Sequence, residues 1–573
     1  MASVTEEREA TAVFMAFGTK GDVFPIAAIA AAFACDQKQY RVILITHSSH
    51  EMLSSHLEEI NVACIFISSP PVLSILKEDG APRTSESLFS MRKRNVTRAH
   101  RQECFSAIEK IFGHGPSMEG DFIVINFFAL EGWSLAELFG VCCLVAAPYV
   151  VPYSAPSSFE RHFRNELPHL YDYLQDAPTD KVGWKDVMHW MWPLFTEDWG
   201  SWRSTDLNLS ACPFTDPVTG LPVSHHRLPS PLLLYGFSRQ IVECPGYWPS
   251  NVRVCGFWFL PSKWQFSCDT CSEIFDPESS EREDKWCPSH TELLHMGFLR
   301  NPEAFLRVLQ IVLDRTNYRF IFFTAGYEPF DRAIQMIAAE ASQGVGRNQL
   351  HDDSVSLYGG RLFCFSGAIP YNWLFRRCLA AIHHGGSGST AAALHVGIPQ
   401  VLCPFVLDQF YWAEKMFWLG VAPEPLKRND LFPEKNDNAS IQEAAKVLLR
   451  ALHHALSPEV KASAADVAKR LSSEDGVLEA VKILKEEANT VEMTVEKGYR
   501  NRGPLAVCFV SVMDVQMEKD GINVDFINPC YLCLLSIADA YRKGEERRED
   551  DEEKCRNQRN NSSKITSEKR GKK

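Results

Sequence analysis

The sequence lacks an apolar run long enough to cross a lipid bilayer. A crossing helix needs about 18 or more apolar residues in succession. The longest runs lie at 121–128 and 141–152, and both are shorter. The opening stretch, MASVTEEREA, also lacks the basic start and apolar core of a secretory signal. We therefore expect a cytoplasmic protein, for which peripheral contact with a membrane stays open.

An excess of basic charge is also missing. The net charge of −13 argues against broad nucleic-acid binding, which needs a basic surface. The 18 cysteines are scattered through apolar segments, as in a reduced protein, and do not form a disulfide framework. Two CxxC spacings occur, at Cys268/Cys271 and Cys530/Cys533, but neither has a second pair at the distance of a zinc site. We expect no metal.

Short apolar runs alternate with helical patterns. In the first half, residues 12–17 and 41–46 read as buried strands, with a helix at 25–33 between them. This alternation predicts an α/β fold with two domains facing each other across a cleft. Further strands are predicted at 63–67, 121–126, 143–147, 319–323, 362–365, 380–383 and 400–404, and helices at 132–139, 302–313, 388–396, 410–419 and within 441–485.

Composition divides the chain into five parts. We place a first domain at 11–260 and a second at 291–490, separated by a polar, acidic linker or insertion at 261–290. An apolar extension at 491–542 has no evident role. The tail at 543–573 consists of charged and polar runs, and this composition is typical of disorder.

The sharpest motif is HHGGSGST, which follows a predicted strand and opens a predicted helix. Its glycines let a ligand approach the backbone, and the free N–H groups of a helix start attract anions. A histidine just before them can donate a hydrogen bond or positive charge to a diphosphate. The alternative is a tight turn without a ligand. The candidate phosphate-binding residues are His383, Gly385, Gly386, Ser387, Gly388 and Ser389.

Two further polar positions follow predicted strands. Asp408 and Gln409 come after the strand at 400–404, and a carboxylate beside an amide suits vicinal sugar hydroxyls. Asp22 lies in the turn GTKGDVFP after the first strand, where it could act as a general base on an acceptor hydroxyl. For both carboxylates a helix cap is the competing interpretation. The Trp-rich stretch at 184–202 either lines an apolar pocket or belongs to the core.

Three segments resemble sterol 3-beta-glucosyltransferases and related bacterial antibiotic glycosyltransferases, within the UDP-glycosyltransferase superfamily. These are GTKGDVFP, the segment LLYGFSRQIVECPGYWPSNVRVCGFWFL, and the long segment from IPYNWLF through HHGGSGST to LGVAPEPL. The resemblance covers roughly residues 11–490 and is strongest at 366–426. It implies the GT-B fold, in which two Rossmann-like domains face a cleft and the second domain binds the nucleotide sugar.

The resemblance also implies roles. It suggests an inverting transferase that moves a hexose from UDP-glucose to a small hydrophobic acceptor such as a sterol, without a metal or a bound cofactor. Asp22 would be the base, and His383 with the glycine-rich loop would contact the diphosphate. Asp408 and Gln409 would bind the sugar, and Trp373 would lie in the segment that packs on uracil.

One departure from the family pattern keeps a second function open. Leu299 and Arg300 stand where the family has the last two residues of GFGS, in a loop that approaches the donor. The alternative is therefore a weak or inactive GT-B protein that binds a hydrophobic ligand or a nucleotide sugar without turnover. An epimerase on the same fold is disfavoured by the large irregular region at 155–230.

Overall fold

The structure is a computed structural model. It describes residues 9–71, 84–113, 120–149, 154–223, 227–265, 301–324, 328–342, 354–365, 370–433 and 435–498. Within these ranges, no helix is both long and apolar enough to span a membrane. The GFGS-like loop, both CxxC pairs, most of the predicted linker, the extension beyond 498 and the tail lie outside the described residues.

The first half is built on a seven-stranded sheet in which every neighbouring pair is parallel. Its order is β3-β2-β1-β4-β5-β6-β7, so β1 pairs with β2 on one side and with the central strand β4 on the other. The strands are β1 (Ala10–Met15), β2 (Tyr40–His47), β3 (Val62–Ile67), β4 (Phe122–Ile125), β5 (Cys142–Ala147), β6 (Leu233–Tyr235) and β7 (Val252–Val254).

Both faces of this sheet are covered, which explains its continuous apolar strands. Along β1, Val13 and Met15 enter one core cluster, whereas Ala12 and Phe14 enter the other. Successive strand residues point to opposite faces, so a strand buried on both sides needs apolar residues throughout. The helices around the sheet are α1 (Lys20–Asp36), α2 (Ser54–Glu58), α3 (Thr84–Phe112), α4 (Glu131–Phe139), α5 (Phe159–Glu166), α6 (Pro168–Gln175), α7 (Trp184–Asp186) and α8 (Glu197–Thr205).

The second half contains two smaller sheets in its described residues. In the first, β10 pairs parallel with β8 and antiparallel with β9, and in the second β11 pairs parallel with β12. The strands are β8 (Phe320–Phe323), β9 (Ser354–Leu357), β10 (Leu362–Phe365), β11 (Ala381–His383) and β12 (Gln400–Leu402). The helices are α9 (Pro302–Asp314), α10 (Glu328–Ser342), α11 (Tyr371–Phe375), α12 (Ser387–Val396), α13 (Gln409–Trp418), α14 (Arg428–Leu431), α15 (Asn438–Ala455), α16 (Pro458–Leu471) and α17 (Gly476–Gly498).

The two halves are joined through shared apolar contacts and through the last helix. Trp412 of α13 is fully buried and belongs to the same core cluster as Phe257, which follows β7. Helix α17 returns to the first half, where Lys485 lies 2.8 Å from Asp36 at the end of α1. The indole N–H of Trp258 also donates to the Gly476 carbonyl, at 3.1 Å. These contacts pack the two halves against each other.

The α/β class expected from the sequence is confirmed, and most predicted elements appear within a few residues of their expected ends. The missed elements include α3, α10 and β9, and the region at 155–230, which was taken as irregular, contains the helices α5 to α8. Helix α3 is 29 residues long and carries the polar, basic run MRKRNVTRAHRQE, which lacks a clear apolar period. The first helix was expected at 25–33 but begins at Lys20, with Pro25 inside it. This earlier start places Asp22 in the first helical turn.

Candidate active site

The predicted site residues lie where strands end and helices begin. Asp22 lies in the first turn of α1, which follows β1, and His383 is the last residue of β11. Asp408 directly precedes α13, shortly after β12. In an open α/β sheet, ligands bind outside the carboxyl ends of parallel strands. The order of the elements therefore places these residues at carboxyl ends of strands in each half.

Asp22 is both a helix-capping residue and a desolvated carboxylate. Its Oδ2 accepts hydrogen bonds from the backbone N–H and the Oγ1 hydroxyl of Thr19, each at 2.7 Å. Among the described residues, Oδ1 has no hydrogen-bonding partner. Burial raises the pKa of Asp22 to about 6, although the two bonds from Thr19 oppose the shift. The two interpretations left open by the sequence are therefore compatible.

The glycine-rich loop surrounds the start of α12. Gly385 has φ of +87°, and a Cβ there would lie 3.0 Å from the Gln409 carbonyl oxygen. A side chain on Gly386 would meet the His384 ring, whereas Gly388 has no atom within 4 Å of its Cβ position. The loop is thus closed on its protein side and open at the first turn of the helix. Open space beside free N–H groups is what an anion needs.

His383 has protein partners on both ring nitrogens. The Gly385 N–H donates to Nδ1 at 3.0 Å, so Nε2 carries the ring hydrogen and donates to Gln400 Oε1 at 2.9 Å. Burial, together with nearby His384, lowers the pKa of His383 to about 3. The imidazole is therefore neutral. Of the two contributions considered from the sequence, a positive charge is disfavoured, and the ring instead orients the loop backbone.

Asp408 and Gln409 lie in a tight turn. The Gln409 Oε1 accepts from the backbone N–H groups of Phe405 and Val406, at 2.9 and 3.1 Å. Leu407, between Val406 and Asp408, has φ of +60°, a left-handed conformation that is uncommon for leucine. The amide of Gln409 therefore stabilises this turn, and its NH₂ group is the part left for a ligand. Asp408 Oδ2 accepts from the Trp412 indole N–H at 3.1 Å.

Asp22 and Asp408 interact electrostatically, although they belong to different halves of the chain. Burial raises the pKa of Asp408 to about 7, and the negative charge of Asp22 contributes to the shift. Both carboxylates are partly exposed side chains. The structure thus brings together the predicted base and one of the predicted sugar-binding residues.

The remaining predicted site residues are Trp373, Ser387 and Ser389. Trp373 lies in α11, where the Arg377 guanidinium stacks over its ring at 3.9 Å. Residues 366–369, in the segment expected to pack on uracil, lie outside the described residues. Ser387 is the first residue of α12, and Ser389 is 9% exposed, so its hydroxyl lies largely inside the fold.

The Trp-rich stretch at 184–202 forms core. Trp190 and Trp199 are 0% and 1% exposed, and both belong to the main cluster of the first half. Of the two interpretations left open by the sequence, packing therefore accounts for these two indoles. Arg203, in the helix that follows, is fully buried and lies 2.9 Å from Glu137.

Sequence reasoning missed the polar residues behind the Asp22 loop. Asn126 follows β4, and its side-chain amide bonds to the backbone of Phe17 and Asp22. His50 Nε2 lies 3.0 Å from the Gly18 carbonyl oxygen. The sequence could have indicated Asn126 by its position, because it lies at the carboxyl end of a predicted strand. In the ranges that the structure describes, no cluster of three or more His, Cys, Asp or Glu could bind a metal.

Comparisons with known proteins find similarity to glycosyltransferases. Residues 361–483 match the family model described as Erythromycin biosynthesis protein CIII-like, C-terminal domain. Sterol 3-beta-glucosyltransferase UGT80A2 of Arabidopsis thaliana is 25% identical over 478 residues, covering 82% of this chain and 64% of that protein. Sterol 3-beta-glucosyltransferase UGT80B1 of the same plant is 26% identical over 483 residues, covering 81% and 66%. The chain thus spans about two thirds of the length of these relatives.

A solved structure, CalG4, the Calicheamicin Glycosyltransferase, is 15% identical, with a TM-score of 0.48 over 84% of this chain and 99% of that one. The resemblance predicted from the sequence is confirmed by the family model and the plant relatives. Over about four fifths of its length the chain is similar to sterol 3-beta-glucosyltransferases, and residues 361–483 match the model of the Erythromycin biosynthesis protein CIII-like C-terminal domain.

Proposed function

We propose that the chain is an inverting glycosyltransferase that moves a hexose, most simply glucose, from a UDP-sugar to the hydroxyl of a small hydrophobic acceptor such as a sterol. The observation that carries the proposal is the electrostatic interaction of Asp22 with Asp408, whose neighbour Gln409 lies against Gly385 in the loop that opens α12. A base and a diphosphate-binding helix on opposite sides of a sugar are the two parts that inversion needs.

The reaction is a single displacement. Asp22 takes the proton of the acceptor hydroxyl, and the acceptor oxygen forms a bond to the anomeric carbon. The bond from that carbon to the β-phosphate oxygen breaks, and UDP leaves with the electron pair. The first-turn N–H groups of α12 stabilise the charge that develops on the diphosphate. His383 supports them through its bond to the Gly385 N–H.

The ionisation of Asp22 fits this role. A pKa of about 6 leaves the carboxylate ionised at neutral pH while making it a stronger base than an exposed aspartate. Its Oδ1 is the oxygen that would accept the acceptor proton, because Oδ2 already accepts from Thr19.

Glucose and a sterol follow the names of the plant relatives, both sterol 3-beta-glucosyltransferases. UDP as the carrier of the sugar follows the resemblance of the sequence motifs. Asp408 and the amide of Gln409 would bind the sugar hydroxyls, and Trp373 would pack on the uracil. No cofactor besides the co-substrate enters this scheme.

The test is turnover with purified protein. UDP-glucose and a sterol in detergent micelles should yield UDP and a glucosylated sterol, followed by coupled UDP detection and mass spectrometry. Incubation without acceptor controls for hydrolysis of the donor. Calorimetric titration with UDP measures donor binding separately.

The alternative is a protein that binds a nucleotide sugar or a hydrophobic ligand without turnover. Its support is the substitution of Leu299 and Arg300 in the GFGS-like loop. UDP binding without product from any of a panel of sterol, terpene and flavonoid alcohols would favour it. Absence of binding to UDP and to other nucleoside diphosphates would reject the transferase proposal.

A further inference from the structure

The side chain of Asn126 lies directly behind the loop that carries Asp22. Asn126 follows β4, next to the carboxyl end of β1, and it is fully buried. Its Nδ2 donates to the Phe17 carbonyl at 2.8 Å and to the Asp22 carbonyl at 3.3 Å. Its Oδ1 accepts from the N–H groups of Phe17 at 3.3 Å and Phe128 at 3.1 Å. The side-chain amide of Asn126 thus donates two hydrogen bonds and accepts two.

These bonds fix both ends of the loop. Phe17 is the last residue before the turn, and Asp22 lies in the first helical turn after it. Between them Gly18 has φ of +109°, and a Cβ there would lie 2.6 Å from Asp22 Oδ2. The carboxyl group therefore packs against the Gly18 backbone, so a small movement of the loop displaces the carboxyl group.

A second polar contact restrains the same turn. His50 Nε2 lies 3.0 Å from the Gly18 carbonyl oxygen, so this nitrogen carries a hydrogen that it donates. The ring of Phe17 packs between two further histidines, with centroid distances of 4.8 Å to His47 and 4.6 Å to His100. Neighbouring strands thus supply the contacts that shape the turn, and Asn126 is the side chain that bonds both of its ends.

We propose that Asn126 is a positioning residue for Asp22, whose amide sets the location and the electrostatic surroundings of that carboxyl group. The inference rests on the proposed function in one respect, since it takes Asp22 as the base. Asn126 itself contacts the main chain of the loop, and it is not assigned contact with a substrate.

An amide is the group that this position requires. Aspartate has nearly the same shape, but an ionised carboxylate cannot donate to the carbonyls of Phe17 and Asp22. It would also place a second negative charge behind Asp22, and a like charge raises the pKa of a carboxyl group. Serine removes bulk and part of the bonding but adds no charge. The two substitutions therefore separate lost positioning from added charge.

The experiment compares Asn126→Asp and Asn126→Ser with wild type. We expect both to lower kcat about 10- to 100-fold, because misplacement of a catalytic group costs rate. The KM for UDP-glucose should stay within about twofold, since the donor-binding residues lie in the other half. Asn126→Asp should in addition move the acid limb of the pH–rate profile upward by about one unit, whereas Asn126→Ser should leave that limb in place.

Asn251→Asp is the matched control. Asn251 also donates from its side-chain amide to a carbonyl, that of Ser230, but it precedes β7, an edge strand three positions from β4 in the sheet. This variant should retain the wild-type kcat and pH profile. Thermal unfolding of every variant reports whether the fold is intact.

A measurement without turnover separates this inference from the proposed function. Carboxyl ¹³C shifts of labelled aspartate, with the Asp22 signal assigned by its loss in Asp22→Asn, give the Asp22 titration directly. We expect it to move upward in Asn126→Asp even if no acceptor is ever found. Folded Asn126 variants with wild-type kcat and an unmoved Asp22 titration would overturn the inference. Loss of folding in both variants would also overturn it, by assigning Asn126 a structural role only.

Discussion

Asp22 and Asp408 come from opposite halves of the chain, and the charge of Asp22 raises the pKa of Asp408. The two carboxylates therefore interact as like charges. Burial acts on both groups in the same direction, so neither behaves like an exposed aspartate. This interaction connects Asp22, the residue proposed to activate the acceptor, with Asp408, a residue proposed to bind the sugar.

Removal of the Asp22 charge should shift the pKa of Asp408. In Asp22→Asn the pKa of Asp408 should fall below its wild-type value of about 7, because the repulsion between like charges is lost. Carboxyl ¹³C shifts of labelled aspartate, recorded from pH 4 to 9, measure this titration. Asp36→Asn is the control, because Asp36 lies at the far end of α1 in a pair with Lys485. An Asp408 titration that does not change in Asp22→Asn would contradict the coupling.

The pH dependence of turnover should report Asp22. The carboxylate accepts a proton only when ionised, so kcat/KM should fall as the pH drops below about 6, roughly tenfold per unit. Asp22→Asn should lower kcat by about 10² to 10⁴ while UDP still binds. Initial rates across pH, together with calorimetry, check both statements. A rate that Asp22→Asn leaves intact would assign the base to another residue.

His383 should act through the loop backbone. His383→Ala removes the acceptor of the Gly385 N–H and the donor to Gln400, so we expect UDP to bind about tenfold more weakly. His395→Ala, at the other end of α12, should leave the affinity unchanged. Calorimetric titration with UDP compares the two variants.

The protonation state of His383 gives an independent check. Since burial lowers its pKa to about 3, the ring should keep the ¹⁵N shifts of a neutral imidazole between pH 5 and 8. A ring that gains a proton in this interval would restore the charged diphosphate contact that the structure disfavours.

Close packing of α4 on the sheet gives a prediction of stability. A Cβ on Gly132 would lie 2.5 Å from the Ile125 Cγ2 atom, inside the core. Gly132→Ala should therefore lower the free energy of unfolding by about 1–3 kcal/mol, as overpacking does. Gly246→Ala, at a position with nothing within 4 Å, should have little effect. Urea unfolding of both variants provides the comparison.

Local pattern predicted much of the fold. The apolar runs at 12–17 and 121–126 became β1 and β4, and the glycine-rich segment opened α12 as expected. The missed helix α3 shows where pattern fails, because its polar and basic run carries little periodic signal. The start of α1 was placed too late because Pro25 usually marks the beginning of a helix, and here it lies inside one.

The sequence by itself determined the α/β alternation, the glycine-rich helix start and the identities of the candidate carboxylates, because these depend on residue type and local spacing. Tertiary structure decided the rest. It paired Asp22 with Asp408, engaged both nitrogens of His383, and placed Asn126 behind the Asp22 loop. These relationships join residues far apart in the chain, and burial then sets their ionisation, so no local pattern contains them.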